Sequence, residues 1–270
     1  MRPLSSLPSA LTVIDDIRGR VGDRALALFL DFDGTLSPIV DDPEAALLAP
    51  GNHERLARLA VHATVSVISG RDLADVRERV GLEGLYYAGS HGFEVGGPDG
   101  FHQQLAEGAR FLPSLHRAED ELRARLHRVP GAYVDRKRFA LAVHDRRVPA
   151  AHLHEVAAVT DEVAGHYPDL RLTAGKRVFE LRPDLAWDKG RALLWLLDEL
   201  ALPRAETVAV FIGDDTTDED AFRALAESGT GFGIVVGGDD RPTAAEYAVR
   251  SPREVSQLLE RLASWLAAAK

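Results

Sequence analysis

Continuous apolar runs alternate with stretches of helical period along most of this chain. Apart from Thr64 and Ser66 in the second, the runs at 25–31, 64–68, 85–88, 207–212 and 231–236 lack the polar alternation of a half-exposed strand, which predicts strands buried on both faces of a parallel sheet. Helical spacing over about 10–18, 52–61, 73–80, 188–200, 219–227 and 252–269 places helices around those strands in βαβ order. The pattern changes at Gly96-Gly97-Pro98-Asp99-Gly100, a dense turn signal. Beyond it, a helical stretch over 105–128 precedes two alternating segments, 132–135 and 138–145. A second helix, 150–166, precedes two more, 170–173 and 177–181, paired around Ala174-Gly175. The alternation predicts antiparallel strands with one solvated face. The expected organisation is an α/β core in two parts, 1–104 and 184–270, interrupted at 105–183 by an inserted α+β domain of order α-β-β-α-β-β.

Two apolar runs end in carboxylates. The first stops at Asp31-Phe32-Asp33-Gly34-Thr35, and the run at 207–212 stops at Gly213-Asp214-Asp215-Thr216-Thr217-Asp218-Glu219-Asp220. Unpaired carboxylates are costly to bury, so an interior strand has no structural use for them, and open α/β sheets bind ligands at these strand ends. If the two strands are parallel neighbours, Asp31, Asp33 and Asp214 converge at one edge, where their repulsion is tolerable only around a hard cation. Magnesium suits such a donor set, since the spacing and glycine of a calcium-binding loop are absent from 214–220. The acids at 218–220 also fit a helix N-terminus favoured by the macrodipole. Ser69, at the tip of the second run, offers a hydroxyl to an anion, and Lys189, opening a helix, offers a positive charge; together they resemble a phosphate clamp.

Composition narrows the partners. Across 270 residues, 46% hydrophobic and 27% charged positions are ordinary for a globular protein, and a formal net charge of -10 argues against nucleic-acid or anionic membrane surfaces. With no cysteine, disulfides, thiolate zinc sites and cysteine nucleophiles are excluded. Neither a signal-peptide stretch over 1–20 nor a run long enough to span a membrane is present, so the expected location is the cytoplasm. The ten histidines form no metal-ligand pattern; His91, on a strand-end loop, is expected to serve as a hinge or in packing. Trp187, Trp195 and Trp265 are expected in the core or an interface, and Asp239-Asp240 in a surface turn with Arg241-Pro242.

Asp31-x-Asp33-Gly-Thr, Ser69-Gly-Arg, Lys189 and Gly213-Asp214-Asp215-x-x-Asp218, in that order, resemble the four motifs of the haloacid dehalogenase-like phosphatases. The resemblance covers nearly the whole chain and implies a Rossmann-like parallel-sheet core with the insertion as a cap domain. It also implies that Asp31 is a nucleophile that becomes an aspartyl phosphate, and that Asp33 protonates the leaving alkoxide and then activates water. Ser69 and Lys189 would hold the phosphoryl group, with Gly34 and Thr35 beside it. Mg2+ would be held by Asp31, by Asp33 through its backbone carbonyl, and by Asp214, with Asp218 or Asp215 in support. A carboxylate suits the first role because it is ionised at neutral pH and needs no activating base.

Further motifs resemble the trehalose-6-phosphate phosphatases within that superfamily: Val67-Ile68-Ser69-Gly70-Arg71, Gly89-Ser90-His91-Gly92, Asp135-x-Lys137, Val143-His144-Asp145-Arg146 and Gly175-Lys176-x-x-x-Glu180-x-Arg182-Pro183. By that resemblance Arg71 lies near the phosphate, and Asp135, Lys137, Arg146, Lys176 and Glu180 bind sugar hydroxyls. Two positions depart from the family pattern: Asp135 replaces a longer glutamate, and Asp145 stands where a tyrosine is more usual. The partner implied is a small sugar phosphate, with sucrose phosphate and mannosylglycerate phosphate as alternative substrates. A sugar-phosphate binding module without catalysis is the alternative of a different class.

Overall fold

The structure is a computed structural model. It describes every residue except Asp41, Lys176, Asp239, Asp240, Ala269 and Lys270, and only the backbone of Pro43. In chain order, a two-residue strand β1 (Arg2–Pro3) and helix α1 (Ile14–Val21) lead to β2 (Ala25–Leu30), α2 (Asn52–Ala60), β3 (Thr64–Ile68), α3 (Leu73–Val80), β4 (Tyr86–Gly89), β5 (Glu94–Gly96) and β6 (His102–Gln104). Then follow α4 (Leu112–Leu126), β7 (Tyr133–Lys137), β8 (Ala140–His144), α5 (Leu153–His166), β9 (Leu170–Gly175) and β10 (Val178–Pro183). The chain closes with α6 (Lys189–Glu199), β11 (Thr207–Gly213), α7 (Asp218–Ser228), β12 (Gly231–Val236), β13 (Pro242–Thr243), β14 (Tyr247–Val249) and α8 (Pro252–Ala268).

Two compact units result: Met1–Gln103 with Trp187–Lys270, and Gln104–Ala186. The first is built on an eight-stranded sheet of order β14-β12-β11-β2-β3-β4-β5-β6, parallel from β14 through β4 and antiparallel between β4 and β5. Side chains of β2 alternate between two cores, which explains its unbroken apolar run. Leu26, Leu28 and Leu30 pack with Leu56 and Leu59 of α2, Val76 of α3 and Leu258 and Leu262 of α8. Ala27 and Phe29 pack on the other face with Leu193 and Leu196 of α6 and Phe222 and Leu225 of α7. Burying a Leu or Phe side chain contributes about 1.5–3 kcal/mol, so these two layers fix the register of the central strands. In that register Leu30 lies beside Ile212, and the Asp31 amide donates to the Ile212 carbonyl at 2.9 Å. The ends of β2 and β11 therefore coincide.

The second unit is a four-stranded antiparallel sheet of order β7-β8-β10-β9 with α4 and α5. One sheet face, with Val134, Leu141, Val143 and Leu181, is buried against Leu115, Leu122 and Leu126 of α4 and Val156 and Val163 of α5. On the opposite face Asp135, Ala142, Glu180 and Thr173 stand in register across the four strands.

Several elements differ from the sequence-based expectation. The first helix begins at Ile14 rather than near residue 10 and reaches Val21. The long helix expected from 105 opens as a 3-10 segment, Ala106–Phe111, before Pro113 enters the first turn of α4, where a missing amide costs nothing. Strands β5, β6, β13 and β14 were not expected; each has two or three residues, too few for a period to register. The expected turn at 239–240 falls outside the described residues. No helix among the described residues is long and apolar enough to cross a membrane.

Candidate active site

Asp31 and Asp214 follow adjacent parallel strands, and Asp218 opens α7 one turn beyond. One carboxylate oxygen from each lies within 4.8 Å of the others. Lys189, the first residue of α6, reaches into this group: its Nζ donates to Asp31 Oδ1 at 2.7 Å and to Asp218 Oδ1 at 2.6 Å. Asp188 caps that helix by accepting the Arg191 amide at 2.8 Å, which fixes where Lys189 starts. All three partners of this ion-pair cluster, Asp31, Lys189 and Asp218, are buried.

Charge in this pocket does not balance. Among the described residues, three carboxylates gather here and Lys189 ion-pairs with two of them; at about 5 Å each pair of like charges repels by about 3 kcal/mol at an effective dielectric near 20. Burial, together with Asp218 and Asp214, pushes the Asp31 carboxyl well above the usual carboxylate range even though Lys189 opposes the shift. Burial and then Asp218 and Asp215 push Asp214 up to about 7. For Lys189, burial alone would lower the pKa, but Asp218 and Asp31 together hold it above the ordinary lysine value. A divalent cation would neutralise the two uncompensated negative charges, and the donors are all hard oxygens, so this set fits magnesium.

Gly34 makes room for the cluster. Its φ is +80°, and a Cβ there would fall 2.2 Å from Asp214 Oδ2. Thr35 is fully buried, and its hydroxyl donates to Asp214 Oδ1 at 3.4 Å, so it steadies a carboxylate rather than facing open space.

Asp33 departs from the expected convergence. Its carboxylate is not part of the group formed by Asp31, Asp214 and Asp218. Instead Arg71 grips it bidentately, Nε to Oδ2 and Nη2 to Oδ1, both at 2.7 Å. Arg71, expected near a phosphate, is thus committed to two carboxylates, since its Nη1 also donates to Asp75 Oδ2 at 2.9 Å. Asp75 was not singled out from the sequence, although Arg71, Asp75 and Arg79 recur every four residues, the spacing that aligns partners on one helix face.

Ser69 follows β3, the neighbour of β2 on the side away from β11. It is buried, and its Oγ accepts the Arg71 amide at 3.2 Å, which closes the turn after β3. The turn is fastened from β4: the amides of Ser90 and His91 donate to the carbonyls of Arg71 and Ser69, at 2.6 and 2.8 Å. Ser90 and His91 carry φ of +49° and +59°, and Gly92 follows at +92°. Successive left-handed non-glycine residues are strained, and such strain persists only where the surroundings impose it. The His91 ring lies over Gly70, where a Cβ would come within 2.9 Å of it, while a Cβ on Gly92 would come within 2.3 Å of Ala192 Cβ on α6.

In the second unit, Tyr133, Asp135 and Lys137 share the sheet face opposite its core with His144 and Glu180. Lys137 Nζ lies 3.7 Å from Glu180 Oε1, and Arg182 Nε lies 3.3 Å from Glu180 Oε2. Burial pushes the His144 imidazole below its usual value, opposed by Asp135 and aided by Lys137 and Arg146. Tyr133 stacks on His144 with centroids 6.0 Å apart. Asp145 is buried and paired with Arg177 at 3.1 Å. Lys176 lies outside the described residues.

The chain matches a family model described as trehalose-phosphatase over residues 29–253. It is 47% identical over 267 residues to the trehalose-phosphate phosphatase of Mycobacterium marinum, and 48% identical over the same length to that of Mycobacterium tuberculosis H37Rv. Each alignment spans 98% of this chain and 68% of the relative. Among solved structures, the C-terminal domain of Candida albicans trehalose-6-phosphate phosphatase superimposes with a TM-score of 0.78 at 27% identity, covering 96% of this chain and 99% of that one. A haloacid dehalogenase-like hydrolase from Bacteroides thetaiotaomicron shares the fold, with a TM-score of 0.63 at 17% identity over 88% of this chain and 99% of that one.

Proposed function

This chain belongs to the trehalose-phosphatase family, and on that premise we propose that it hydrolyses trehalose 6-phosphate to trehalose and phosphate through a phosphoryl-aspartate on Asp31. The observation that carries this reading is the meeting of Asp31, Asp214 and Asp218 around the Lys189 ammonium. An Asp31 carboxylate oxygen forms the new bond to phosphorus as the bond to the sugar oxygen breaks, and Asp33 delivers a proton to the departing alkoxide. Water then cleaves the phosphoryl-aspartate, with Asp33 taking the proton back. General acid help of this kind is worth about 10² to 10⁴ in rate, and a sugar alkoxide leaves poorly without it.

Lys189 and Ser69 hold the phosphoryl oxygens, and the ammonium offsets the repulsion between a phosphate dianion and an attacking carboxylate. Asp31 and Asp214, with the Asp33 carbonyl, would hold Mg2+, while Asp218 keeps Lys189 in place. When bound, the ion supplies positive charge to a site that lacks it. The inserted unit serves as the cap, and Asp135, Lys137, Arg146 and Glu180 donate to and accept from sugar hydroxyls; the placement of Asp135, Lys137 and Glu180 on one sheet face supports this reading.

Phosphate release, measured with and without magnesium on trehalose 6-phosphate, sucrose phosphate and mannosylglycerate phosphate, tests the proposal. The expected result is magnesium-dependent turnover that is fastest on trehalose 6-phosphate and absent in Asp31→Asn. Appreciable turnover by that variant excludes Asp31 as nucleophile, and equal or faster release from another ester refutes the substrate assignment.

A further inference from the structure

Asp33 must present its carboxylate in one orientation to hand over and recover a proton, and among the described residues it is Arg71, from another strand end, that holds it. Its side chain is 46% exposed, while that of Arg71, which grips it, is only 10% exposed. The guanidinium is held in turn. Its third donor goes to Asp75 Oδ2, and its face lies 5.5 Å from the Phe32 ring centroid. Asp75 Oδ1 accepts from Arg79 Nε at 2.7 Å. Arg79 closes the series by donating to the carbonyls of Glu44 and Ala46, at 3.0 and 2.8 Å. Four charged side chains thus run in line from Asp33 to the loop around residue 45, and three of them stand at i, i+4 and i+8 on and beside α3.

We propose that Asp75 is a positioning residue for the reaction: it holds the Arg71 fork at the angle that orients the Asp33 carboxylate for proton transfer. The inference rests on the acid and base role of Asp33 stated above. A guanidinium has its donors in one rigid plane, so fixing Nη1 on Asp75 sets the direction of Nε and Nη2 toward Asp33. Asp75→Asn keeps the size of the side chain but replaces one acceptor oxygen with a donor, which cannot face both Arg71 and Arg79. The fork then turns, and Asp33 turns with it.

The test uses the leaving group. An alkoxide needs the Asp33 proton, whereas p-nitrophenolate departs without one, and kcat/KM reports the step in which the leaving group departs. In Asp75→Asn, kcat/KM on trehalose 6-phosphate is expected to fall about 10-fold or more while that on p-nitrophenyl phosphate changes by less than about 3-fold. Arg79→Gln, one step further from the site, should show the same asymmetry in smaller measure. Equal losses on both esters, or no loss on either, in both variants overturn the proposal. Asp33→Asn separates the two levels of the argument. An asymmetric loss there, with a symmetric loss in Asp75→Asn, refutes the positioning role alone; a symmetric loss in Asp33→Asn refutes the acid role and the inference with it.

Discussion

Replacing Lys189 by Met removes the ammonium that pairs with Asp31 and Asp218 while keeping the volume and length of the side chain. Its Nζ makes two charge-assisted hydrogen bonds, at 2.6 and 2.7 Å, to Asp218 and Asp31. Removing one member of a buried ion pair typically costs about 3–5 kcal/mol, because the partner charge stays behind uncompensated. At about 2 °C per kcal/mol for a chain of this size, melting should fall by about 6–10 °C. The loss should depend on pH in a stated direction. In the parent, Lys189 has a raised pKa, so its contribution is complete below the unfolded value near 10.4 and is lost only as pH rises through the folded one; between pH 5 and 8 it is constant. In the variant, Asp31, whose carboxyl burial already pushes well above the usual range, loses the Lys189 cation that opposed that shift, and protonation relieves it as pH falls. The penalty should therefore be largest near pH 8 and shrink toward pH 5. Thermal denaturation across that range, with and without magnesium, reads both effects. Magnesium should restore part of the stability but not turnover, since the phosphoryl group still lacks the ammonium. Melting within about 2 °C of the parent at pH 8, or a loss of the same size at every pH, would refute the electrostatic account of this pocket.

Two other outcomes follow from the same geometry. Gly34→Ala brings a methyl carbon within 2.2 Å of Asp214 Oδ2 and costs a left-handed backbone about 1–2 kcal/mol, so magnesium affinity measured by calorimetry should fall at least about tenfold; an unchanged affinity would show that Asp214 is not held against this turn. Asp214, pushed up to about 7 by burial and then by its acidic neighbours, makes the metal-free fold lose stability as pH rises from about 4 toward that value, and a cation must displace its proton. Magnesium affinity should rise up to about tenfold per pH unit between 5 and 7 and then level off, with proton release detected in buffers of different ionisation enthalpy; pH-independent binding contradicts the raised value.

Much of this was legible in the residues because burial on both sheet faces demands charge-free, mostly apolar runs, which mark β3 and β12 at their observed limits. The acids at the ends of β2 and β11 were legible for a related reason: unpaired carboxylates are costly to bury, so their place at the tips of interior strands marks a ligand site. What the pattern could not carry was side-chain direction. Asp33 and Asp31 are two residues apart, yet Arg71, from a different strand end, takes one away and Lys189 holds the other. Asp218 satisfied two readings at once, since it both opens α7 and closes on Lys189. The three-residue strands β5 and β14 escaped because pairing, and not composition, makes them strands.

The left-handed pair Ser90 and His91 has a consequence for how the molecule breathes. Each such residue costs about 1–3 kcal/mol, held in place by amides that donate to Ser69 and Arg71. Letting go returns that energy, so the loop beside Ser69 opens more cheaply than the sheet beneath it unfolds. Amide exchange at these two positions should outpace that at Val67 by orders of magnitude, giving the catalytic rim a local melting of its own.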